Sequence, residues 1–310
     1  MAVGFIFPSQ GSQSLGMLKE LAQIYPSIVV TFSEASQELG YDLWDLVQNG
    51  PEDQLNATER TQPAMLAAGV ALWRVWQEQG GVQPRLMAGH SLGEYSALVC
   101  AGAVGFREAI SVVADRGRYM QAAVARGRGG MAAILGLADH QVAEVCQSMA
   151  QGEVVACANF NSPGQVVIAG QIEAIERAVE YARARGAKRA VILPVSVPSH
   201  CELMRPAAQW LFARLQSVPI ARPAIPVIHN VDISIRPDPK SIAQALIEQL
   251  YKPVRWVEVI QKMVAEGIHT VVECGPGKVL TGLCKRIDRT LRCVAVLDSP
   301  SLDAALREVN

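Results

Sequence analysis

The sequence predicts an α/β protein in which a parallel sheet is interrupted by a small inserted unit. At both ends of the chain, short apolar segments alternate with longer helix-forming segments, which is typical of parallel strands joined by helices. In the middle, strands and helices follow one another more densely, after a glycine- and arginine-rich linker at residues 126–130. The length of 310 residues exceeds the usual size of a single core, so an insertion or a second domain is expected.

The first part of the chain supplies two strands and a series of helices. Residues 3–7 are continuously apolar and end at Pro8, which predicts a buried strand. A second short apolar run at residues 85–88 predicts another strand. We expect helices over residues 15–24, 27–39, 62–79, 92–101 and 106–123.

The middle of the chain has the element order of a ferredoxin-like unit. We expect strands over residues 131–137, 154–159, 165–169 and 189–195, with helices over 139–150 and 172–185. A Ser162-Pro163-Gly164 turn separates the second strand from the third. The resulting order is βαββαβ, which defines the ferredoxin-like arrangement.

After Val197-Pro198 the alternating pattern resumes. We expect strands over residues 225–229, 269–273 and 292–297, with helices between and after them. The simplest account is a discontinuous main domain of residues 1–125 and 197–310, interrupted by a ferredoxin-like subdomain of residues 126–196. A cleft is expected where the two meet, and ligands commonly bind in such clefts.

Composition and charge exclude several classes of protein. Half of the residues are hydrophobic, which is enough for a sizeable core, and the net charge of −1 provides no global field for nucleic acid or an anionic membrane. No run of about 18 apolar residues appears, and residues 1–8 lack the features of a signal peptide. The seven cysteines are scattered without a C-x-x-C pair, so we expect reduced thiols and a cytoplasmic location. With five histidines and no metal-ligand spacing, we expect no metal site.

One short stretch carries a candidate nucleophile. Gly89-His90-Ser91-Leu92-Gly93 matches the G-x-S-x-G pattern between a predicted strand and a predicted helix, the context found in α/β-hydrolase-like domains. The two glycines allow the strand and the helix to pack closely around Ser91, and the helix N-terminus would stabilise an oxyanion there. The alternative is a glycine-rich turn in which Ser91 only caps the helix.

A single arginine interrupts the apolar face of the predicted helix over residues 106–123. Arg116 shares this face with aliphatic side chains by 3.6-residue spacing, whereas Arg107 and Arg118 lie on the opposite face. A buried guanidinium needs an anion for its hydrogen-bond donors. From the residues alone, that anion is either a carboxylate of the protein or the carboxylate of a substrate in the cleft.

Two further segments lie where a reactive cleft would need them. Residues 9–13 follow the first strand, and a glycine-flanked loop there can direct a backbone N–H at a reacting carbonyl, although it is otherwise an ordinary turn. His200 lies at the return from the insertion into the main domain, and histidine is the base that a serine nucleophile requires. A structural role is the alternative for His200, while His90 is too close to Ser91 along the chain to be its base.

Together these motifs resemble the malonyl-CoA:acyl carrier protein transacylases, the acyltransferase family that loads malonyl groups for fatty-acid biosynthesis in lipid metabolism. The resemblance covers nearly the whole chain. It depends on the following motifs in this order: Phe7-Pro8-Ser9-Gln10-Gly11-Ser12-Gln13, Thr61-Gln62-Pro63-Ala64, Gly89-His90-Ser91-Leu92-Gly93-Glu94, Arg116, Ala158-Asn159-Phe160-Asn161, Pro198-Ser199-His200, Glu248-Gln249-Leu250 and Gly275-Pro276-Gly277-Lys278. One departure is Ser9, where the family usually has glycine, and it concerns turn geometry more than chemistry.

The resemblance implies a role for each matching residue. Ser91 is the acylated nucleophile, and His200 is its general base, oriented by the main-chain carbonyl of Gln249. The carboxylate of the malonyl group binds Arg116. The oxyanion hole consists of the backbone N–H groups of Gln10 and Leu92, and further candidates for the substrate pocket are Gln62, Asn159, Asn161 and Ser199.

The resemblance also implies the reactants and the partner. Malonyl-CoA acylates Ser91, and the phosphopantetheine thiol of acyl carrier protein then attacks the ester in a ping-pong reaction without a bound cofactor or metal. We expect an acidic carrier protein that binds transiently to a monomeric enzyme. The basic docking candidates, which otherwise form an ordinary solvated surface, are Arg126, Arg128, Lys285, Arg286 and Arg289.

Three other functions share parts of this pattern. A serine hydrolase such as a thioesterase has the G-x-S-x-G turn, but it expects the chain order Ser, Asp, His and has no need for a buried arginine. A non-catalytic docking module for the carrier protein would not require both Ser91 and His200. A free-standing acyltransferase of a polyketide synthase shares the chemistry and the motifs, so the sequence leaves the pathway open.

Overall fold

Five parallel strands form the main sheet of the computed structural model, which describes residues 2–195 and 197–309. In chain order the strands are β1 (Val3–Phe7), β2 (Leu86–Gly89), β3 (Gly129–Leu135), β4 (Val155–Ser162), β5 (Gln165–Gln171), β6 (Arg189–Ile192), β7 (Val227–Ile228), β8 (Thr270–Cys274) and β9 (Arg292–Val296). The helices are α1 (Lys19–Ile24), α2 (Ser27–Leu39), α3 (Leu43–Asn49), α4 (Glu52–Leu55), α5 (Thr58–Glu78), α6 (Gly93–Cys100), α7 (Phe106–Ala123), α8 (Asp139–Ala150), α9 (Ile172–Ala184), α10 (Arg205–Leu215), α11 (Pro239–Gln249), α12 (Trp256–Ala265), α13 (Val279–Ile287) and α14 (Ser299–Val309).

The main sheet is covered by helices on both faces. Its strand order is β7-β2-β1-β8-β9, so β1 lies at the centre. On one face, the ring of Phe5 makes edge contacts with Trp73 and Trp76 of α5 at centroid distances of 5.3 and 5.1 Å. On the other face, Ile6 shares a core with Ile260 of α12. Because helices exclude water from both faces of the sheet, all five residues of β1 are apolar and buried, as the sequence predicts.

A second sheet is antiparallel and has its own core. Its strand order is β4-β5-β3-β6, and α8 and α9 pack against one face. The edge strand β4 also bonds to the main part of the chain, since Phe160 N donates to Val254 O at 2.9 Å and Val254 N donates to Ala158 O at 2.8 Å. These bonds join the end of β4 to the segment that precedes α12.

The predicted mixed α/β class with a parallel sheet is confirmed, and several element bounds coincide with the structure. The helices α2, α7 and α8 have the predicted bounds, because in each an apolar face recurs at helical spacing from one end to the other. Two short helices, α3 and α4, were not predicted. The strand β7 has only two residues where five were expected.

Among the other bounds that differ, three have a clear local cause. Helix α1 begins at Lys19 and not at residue 15, since Gly16 and Leu18 have left-handed φ angles of 76° and 63°. Helix α5 begins at Thr58 and not at residue 62, because the N–H groups of residues 60 and 61 donate to Ala57 O. Strand β3 begins inside the expected linker, where Gly129 pairs with residue 171. Among the described residues, no helix combines the length and apolar character needed to cross a membrane.

Candidate active site

The turn between β2 and α6 presents Ser91 in a strained conformation. Its φ angle is 48°, in the left-handed region that non-glycine residues seldom adopt. A Cβ atom on Gly89 would lie 1.8 Å from the carbonyl carbon of Gly93, and a Cβ atom on Gly93 would lie 2.0 Å from the carbonyl oxygen of Phe7. Only glycine fits at both positions, so the G-x-S-x-G spacing here has the close packing expected of a nucleophile turn.

A histidine from a distant part of the chain contacts this serine. Ser91 Oγ lies 2.8 Å from His200 Nε2, and His200 Nδ1 lies 2.7 Å from the main-chain oxygen of Gln249. Because a carbonyl oxygen can only accept, Nδ1 carries the proton and Nε2 is left to accept the serine proton. The arrangement is a serine–histidine pair oriented by a carbonyl oxygen.

The surroundings of His200 keep its imidazole neutral. Burial lowers the pKa of His200 to about 3, and the positive charge of Arg116 acts in the same direction. The hydrogen bond to the Gln249 carbonyl opposes this shift without cancelling it. A neutral imidazole is the form that can act as a base.

Arg116 lies beside this pair and is 1% exposed. Its Nη1 donates to Gln62 Oε1 at 2.8 Å, and its Nη2 donates to Gln249 Oε1 at 2.9 Å and approaches Ser91 Oγ at 3.5 Å. Within residues 2–195 and 197–309, no carboxylate forms an ion pair with this guanidinium, so the internal ion pair considered above is not formed. Two neutral amide oxygens leave the charge of Arg116 unneutralised at the site.

These groups surround one cavity of about 250 Å³ at the carboxyl ends of β1 and β2. The predicted site residues that line it are Gln10, Gln62, Ser91, Leu92, Arg116, Asn159, Asn161, Ser199 and His200. Its apolar lining includes Met120, Met131, Val167, Leu193, Val195, Leu280 and Leu283. Gln249 does not line the cavity itself, but it forms hydrogen bonds with the lining residues Ser91, Arg116 and His200.

His90 has a partner other than the nucleophile. Its Nε2 lies 2.8 Å from Asn161 Oδ1, and its ring lies 5.4 Å from the ring of Trp256. Burial lowers the pKa of His90. These contacts agree with the expectation that His90 is not the base for Ser91.

Three buried residues that sequence reasoning missed support the serine turn. Asn230 Oδ1 accepts from Ser91 N at 2.8 Å, and Asn230 Nδ2 donates to the carbonyl of residue 89 at 2.8 Å. The Glu94 carboxylate lies 2.7 Å from His229 Nδ1 and accepts from Asn230 N at 3.0 Å. The sequence contained one signal for these residues, the polar pair at positions 229 and 230 directly after β7. Because β7 lies next to β2 and the carboxyl ends of parallel strands meet at one edge of the sheet, this pair lies near the serine turn.

The basic docking candidates lie on the surface. Arg128 pairs with Glu173 at 3.2 Å, and Arg286 donates to Gln165 Oε1 at 2.8 Å. Lys285 and Arg286 are exposed on α13, whose residue Leu283 lines the cavity. All seven cysteines are free thiols, and the described part of the chain contains no cluster of His, Cys, Asp or Glu that could hold a metal ion.

Full-length similarity connects the chain to known proteins. The family described as acyl transferase domain matches residues 4–297. The malonyl CoA-acyl carrier protein transacylase of Salmonella typhimurium is 56% identical over 304 residues, which cover 98% of each chain. A solved acyl carrier protein S-malonyltransferase from Vibrio cholerae O1 is 58% identical, covers 98% of this chain and 99% of its own, and superposes with a TM-score of 0.96. A malonyl-transacylase solved with a type II PKS acyl-carrier protein is 54% identical, covers 99% of this chain and 100% of its own, and has a TM-score of 0.98.

Proposed function

The chain belongs to the acyl transferase domain family, among the malonyl CoA-acyl carrier protein transacylases, and on that premise we propose that it transfers malonyl groups from malonyl-CoA to acyl carrier protein. The observation that carries the proposal is the 2.8 Å contact between Ser91 Oγ and His200 Nε2 in a cavity that also contains an arginine without a carboxylate partner. A nucleophile, a base and a carboxylate receptor are the three groups that this reaction needs.

The first half-reaction acylates the serine. Ser91 Oγ attacks the thioester carbonyl of malonyl-CoA while its proton passes to His200 Nε2. The negative oxygen of the tetrahedral intermediate binds the backbone N–H groups of Gln10 and Leu92. The intermediate then collapses, the carbon–sulfur bond breaks, and the CoA thiolate takes the proton from His200.

The second half-reaction reverses these roles. The phosphopantetheine thiol of the carrier protein gives its proton to His200 and attacks the ester carbon. The bond to Ser91 Oγ breaks, and the serine oxygen recovers the proton. No cofactor takes part, and the apolar lining of the cavity keeps water from the ester between the two steps.

Arg116 supplies the selectivity for malonyl groups. The hydrogens of Nη1 and Nη2 that are not bonded to Gln62 and Gln249 form a planar pair of donors for the free carboxylate of the substrate. An acetyl group offers no charge to this site. Asn159, Asn161 and Ser199 line the same cavity and bind the remainder of the acyl–thioester group.

The proposed catalytic domain is discontinuous and is interrupted by a smaller subdomain. We propose that residues 126–196 are a ferredoxin-like subdomain, because β3, α8, β4, β5, α9 and β6 follow in the order βαββαβ. Residues 1–125 and 197–310 form the α/β-hydrolase-like catalytic domain. Residues 1, 196 and 310, which mark the limits of these domains, lie outside the described residues.

The carrier protein is the partner, and the enzyme works as a cytoplasmic monomer. An acidic carrier protein binds transiently to the exposed basic groups near the cavity, of which Lys285 and Arg286 lie on the helix that supplies part of the cavity wall. Supply of malonyl groups for fatty-acid synthesis is the primary role. The similarity to the transacylase solved with a type II PKS carrier favours a polyketide carrier protein as a second acceptor, and comparing transfer rates to the two carriers distinguishes them.

Intact-protein mass spectrometry tests the proposal. The wild-type enzyme incubated with malonyl-CoA should gain the mass of one malonyl group and lose it to the thiol of added carrier protein. Ser91→Ala should gain no mass, whereas Ser14→Ala, which changes an exposed serine, should be labelled normally. Persistent labelling of Ser91→Ala would place the nucleophile elsewhere, for example at Ser199 or Cys201, and release of free malonate as fast as transfer would favour a hydrolase.

A further inference from the structure

A single glutamine side chain lies between a buried cation and a buried anion. Gln249 Oε1 accepts from Arg116 Nη2 at 2.9 Å, and Gln249 Nε2 donates to Glu94 Oε2 at 3.0 Å. The same Nε2 donates to the main-chain oxygen of Ser91 at 3.0 Å. Glu94 and Gln249 are both 0% exposed, so water does not screen these contacts.

The contacts fix the direction of the Gln249 amide. The carboxylate of Glu94 and the carbonyl of Ser91 can only accept hydrogen bonds, so the amide nitrogen must face them. The amide oxygen is therefore directed at Arg116. If the amide were rotated by 180°, its nitrogen would meet the donors of the guanidinium and its oxygen would meet two acceptors.

In the part of the chain that the structure describes, no lysine or arginine contacts Glu94. Its second oxygen lies 2.7 Å from His229 Nδ1, and His229 Nε2 is buried without a hydrogen-bond partner among the described residues. The imidazole meets the carboxylate through one ring nitrogen only, and a carboxylate can only accept in that contact. The remaining contacts of the carboxylate, from Asn230 N and Gln249 Nε2, are with neutral groups.

Likewise, no carboxylate within residues 2–195 and 197–309 contacts Arg116, although a buried charge is costly unless it is balanced. Its two strong hydrogen bonds are to the neutral amide oxygens of Gln62 and Gln249. Burial lowers the pKa of Arg116, and Tyr95 and Glu94 act in the opposite direction. The cation and the anion are thus one amide group apart.

We propose that Glu94 is the remote counter-ion of Arg116 and a positioning residue for substrate selectivity, acting through the Gln249 amide. Its negative charge stabilises the guanidinium in the protein interior without occupying the donors that face the cavity. A carboxylate in direct contact with Arg116 would take those donors and compete with the carboxylate of the substrate. The inference rests on the proposed malonyl transfer, because that reaction gives the free donors their use.

An exchange of the two side chains tests where the charge must lie. The double variant Glu94→Gln with Gln249→Glu keeps composition and net charge but places the carboxylate directly on Arg116. The measurement is kcat/KM for malonyl-CoA divided by kcat/KM for acetyl-CoA, together with the melting temperature. We expect this ratio to fall by at least about tenfold, since a carboxylate bonded directly to Arg116 neutralises the guanidinium and weakens its charge-assisted hydrogen bonds to the substrate. Damage to the serine turn would slow both substrates alike and leave the ratio unchanged.

A matched exchange on the same helix is the control. Gln244 Nε2 donates to Glu248 Oε1 at 2.8 Å near the surface of α11. The double variant Gln244→Glu with Glu248→Gln makes the same chemical change there and should keep the wild-type ratio. A wild-type enzyme without a preference for malonyl-CoA would contradict the proposed function itself. A wild-type preference that the Glu94–Gln249 exchange leaves intact would overturn only the remote counter-ion.

A second variant covers the case in which the exchanged enzyme does not fold. Gln249→Met keeps the side-chain volume and adds no charge, but it removes the amide between Glu94 and Arg116. We expect its malonyl-to-acetyl ratio to fall as well, because the guanidinium loses one of its two fixed acceptors. An unchanged ratio in the folded Gln249→Met enzyme would also overturn the inference.

Discussion

Replacing Arg116 with alanine tests whether the buried guanidinium binds the substrate carboxylate. The side chain has five N–H donors, and two of them are bonded to Gln62 and Gln249. One further donor remains on each of Nη1 and Nη2, and the long 3.5 Å contact of Nη2 with Ser91 Oγ would give way to a carboxylate in the cavity. A hydrogen bond to a charged group contributes about 1.5–3 kcal/mol, which is roughly 10- to 150-fold in kcat/KM. We therefore expect Arg116→Ala to lower kcat/KM for malonyl transfer by at least about tenfold, the lower end of this range.

The selectivity should change in the same experiment. Acetyl-CoA has no carboxylate for Arg116, so its transfer should improve relative to that of malonyl-CoA when the unpaired cation is removed. Arg116→Lys should restore little of the activity, because an ammonium group lacks the planar pair of donors.

The measurement is the steady-state kcat/KM for both thioesters with the carrier protein as acceptor. Thermal unfolding checks that each variant is folded. Arg107→Ala is the matched control, since this arginine lies on the same helix and donates to Gln37 at the surface. Equal slowing of both substrates together with a lower melting temperature would mean that Arg116 only supports the scaffold, and the reasoning would fail.

Three further predictions follow from the same geometry. Because the pKa of His200 is lowered to about 3, the acid limb of kcat/KM should lie well below pH 6.5, and a limb near 6.5 in a pH–rate profile would contradict the buried neutral imidazole. Gly93→Ala should abolish activity and lower the melting temperature, because the added Cβ would lie 2.0 Å from a carbonyl oxygen of β1. The control is Gly282→Ala, where the added Cβ meets open space, and this variant should keep the wild-type activity and keep or slightly raise the melting temperature. Charge reversal at Lys285 and Arg286 should raise KM for the carrier protein but not for malonyl-CoA, and an unchanged KM at low salt would exclude this docking surface.

Local patterns predicted those parts of the fold in which a single periodicity decides the structure. The strand β1 and the helices α2 and α7 have the predicted bounds, because the periodicity of their apolar residues extends over the whole element, with Arg116 as the exception in α7. The strand β7 has two residues, and the predicted strand was longer. Its length depends on its pairing with β2, and no local sequence pattern indicates where that pairing ends.

The site was predictable to the extent that its groups lie in short motifs. The G-x-S-x-G pattern locates Ser91, and the roles of His200 and Gln249 came from the resemblance to a family. The partners of Arg116 stayed open, because an apolar helix face shows that a charge is buried but not what faces it. The contacts of Glu94 with residues 229 and 230 span more than a hundred positions along the chain, and no local pattern indicates them.

The central place of β1 has a consequence for biosynthesis. This strand pairs with β2 on one side and with β8 on the other, so Val3 lies beside Thr270. During translation the nascent chain therefore keeps one edge of β1 unpaired until β8 has left the ribosome, and contacts of such long range close slowly. The antiparallel unit from β3 to β6 contains its own core and depends on short-range pairing, so it can become ordered before the sheet that surrounds it is complete. We expect the emerging chain to pass through a stage with one ordered unit and an exposed apolar strand, the stage at which a chaperone would bind.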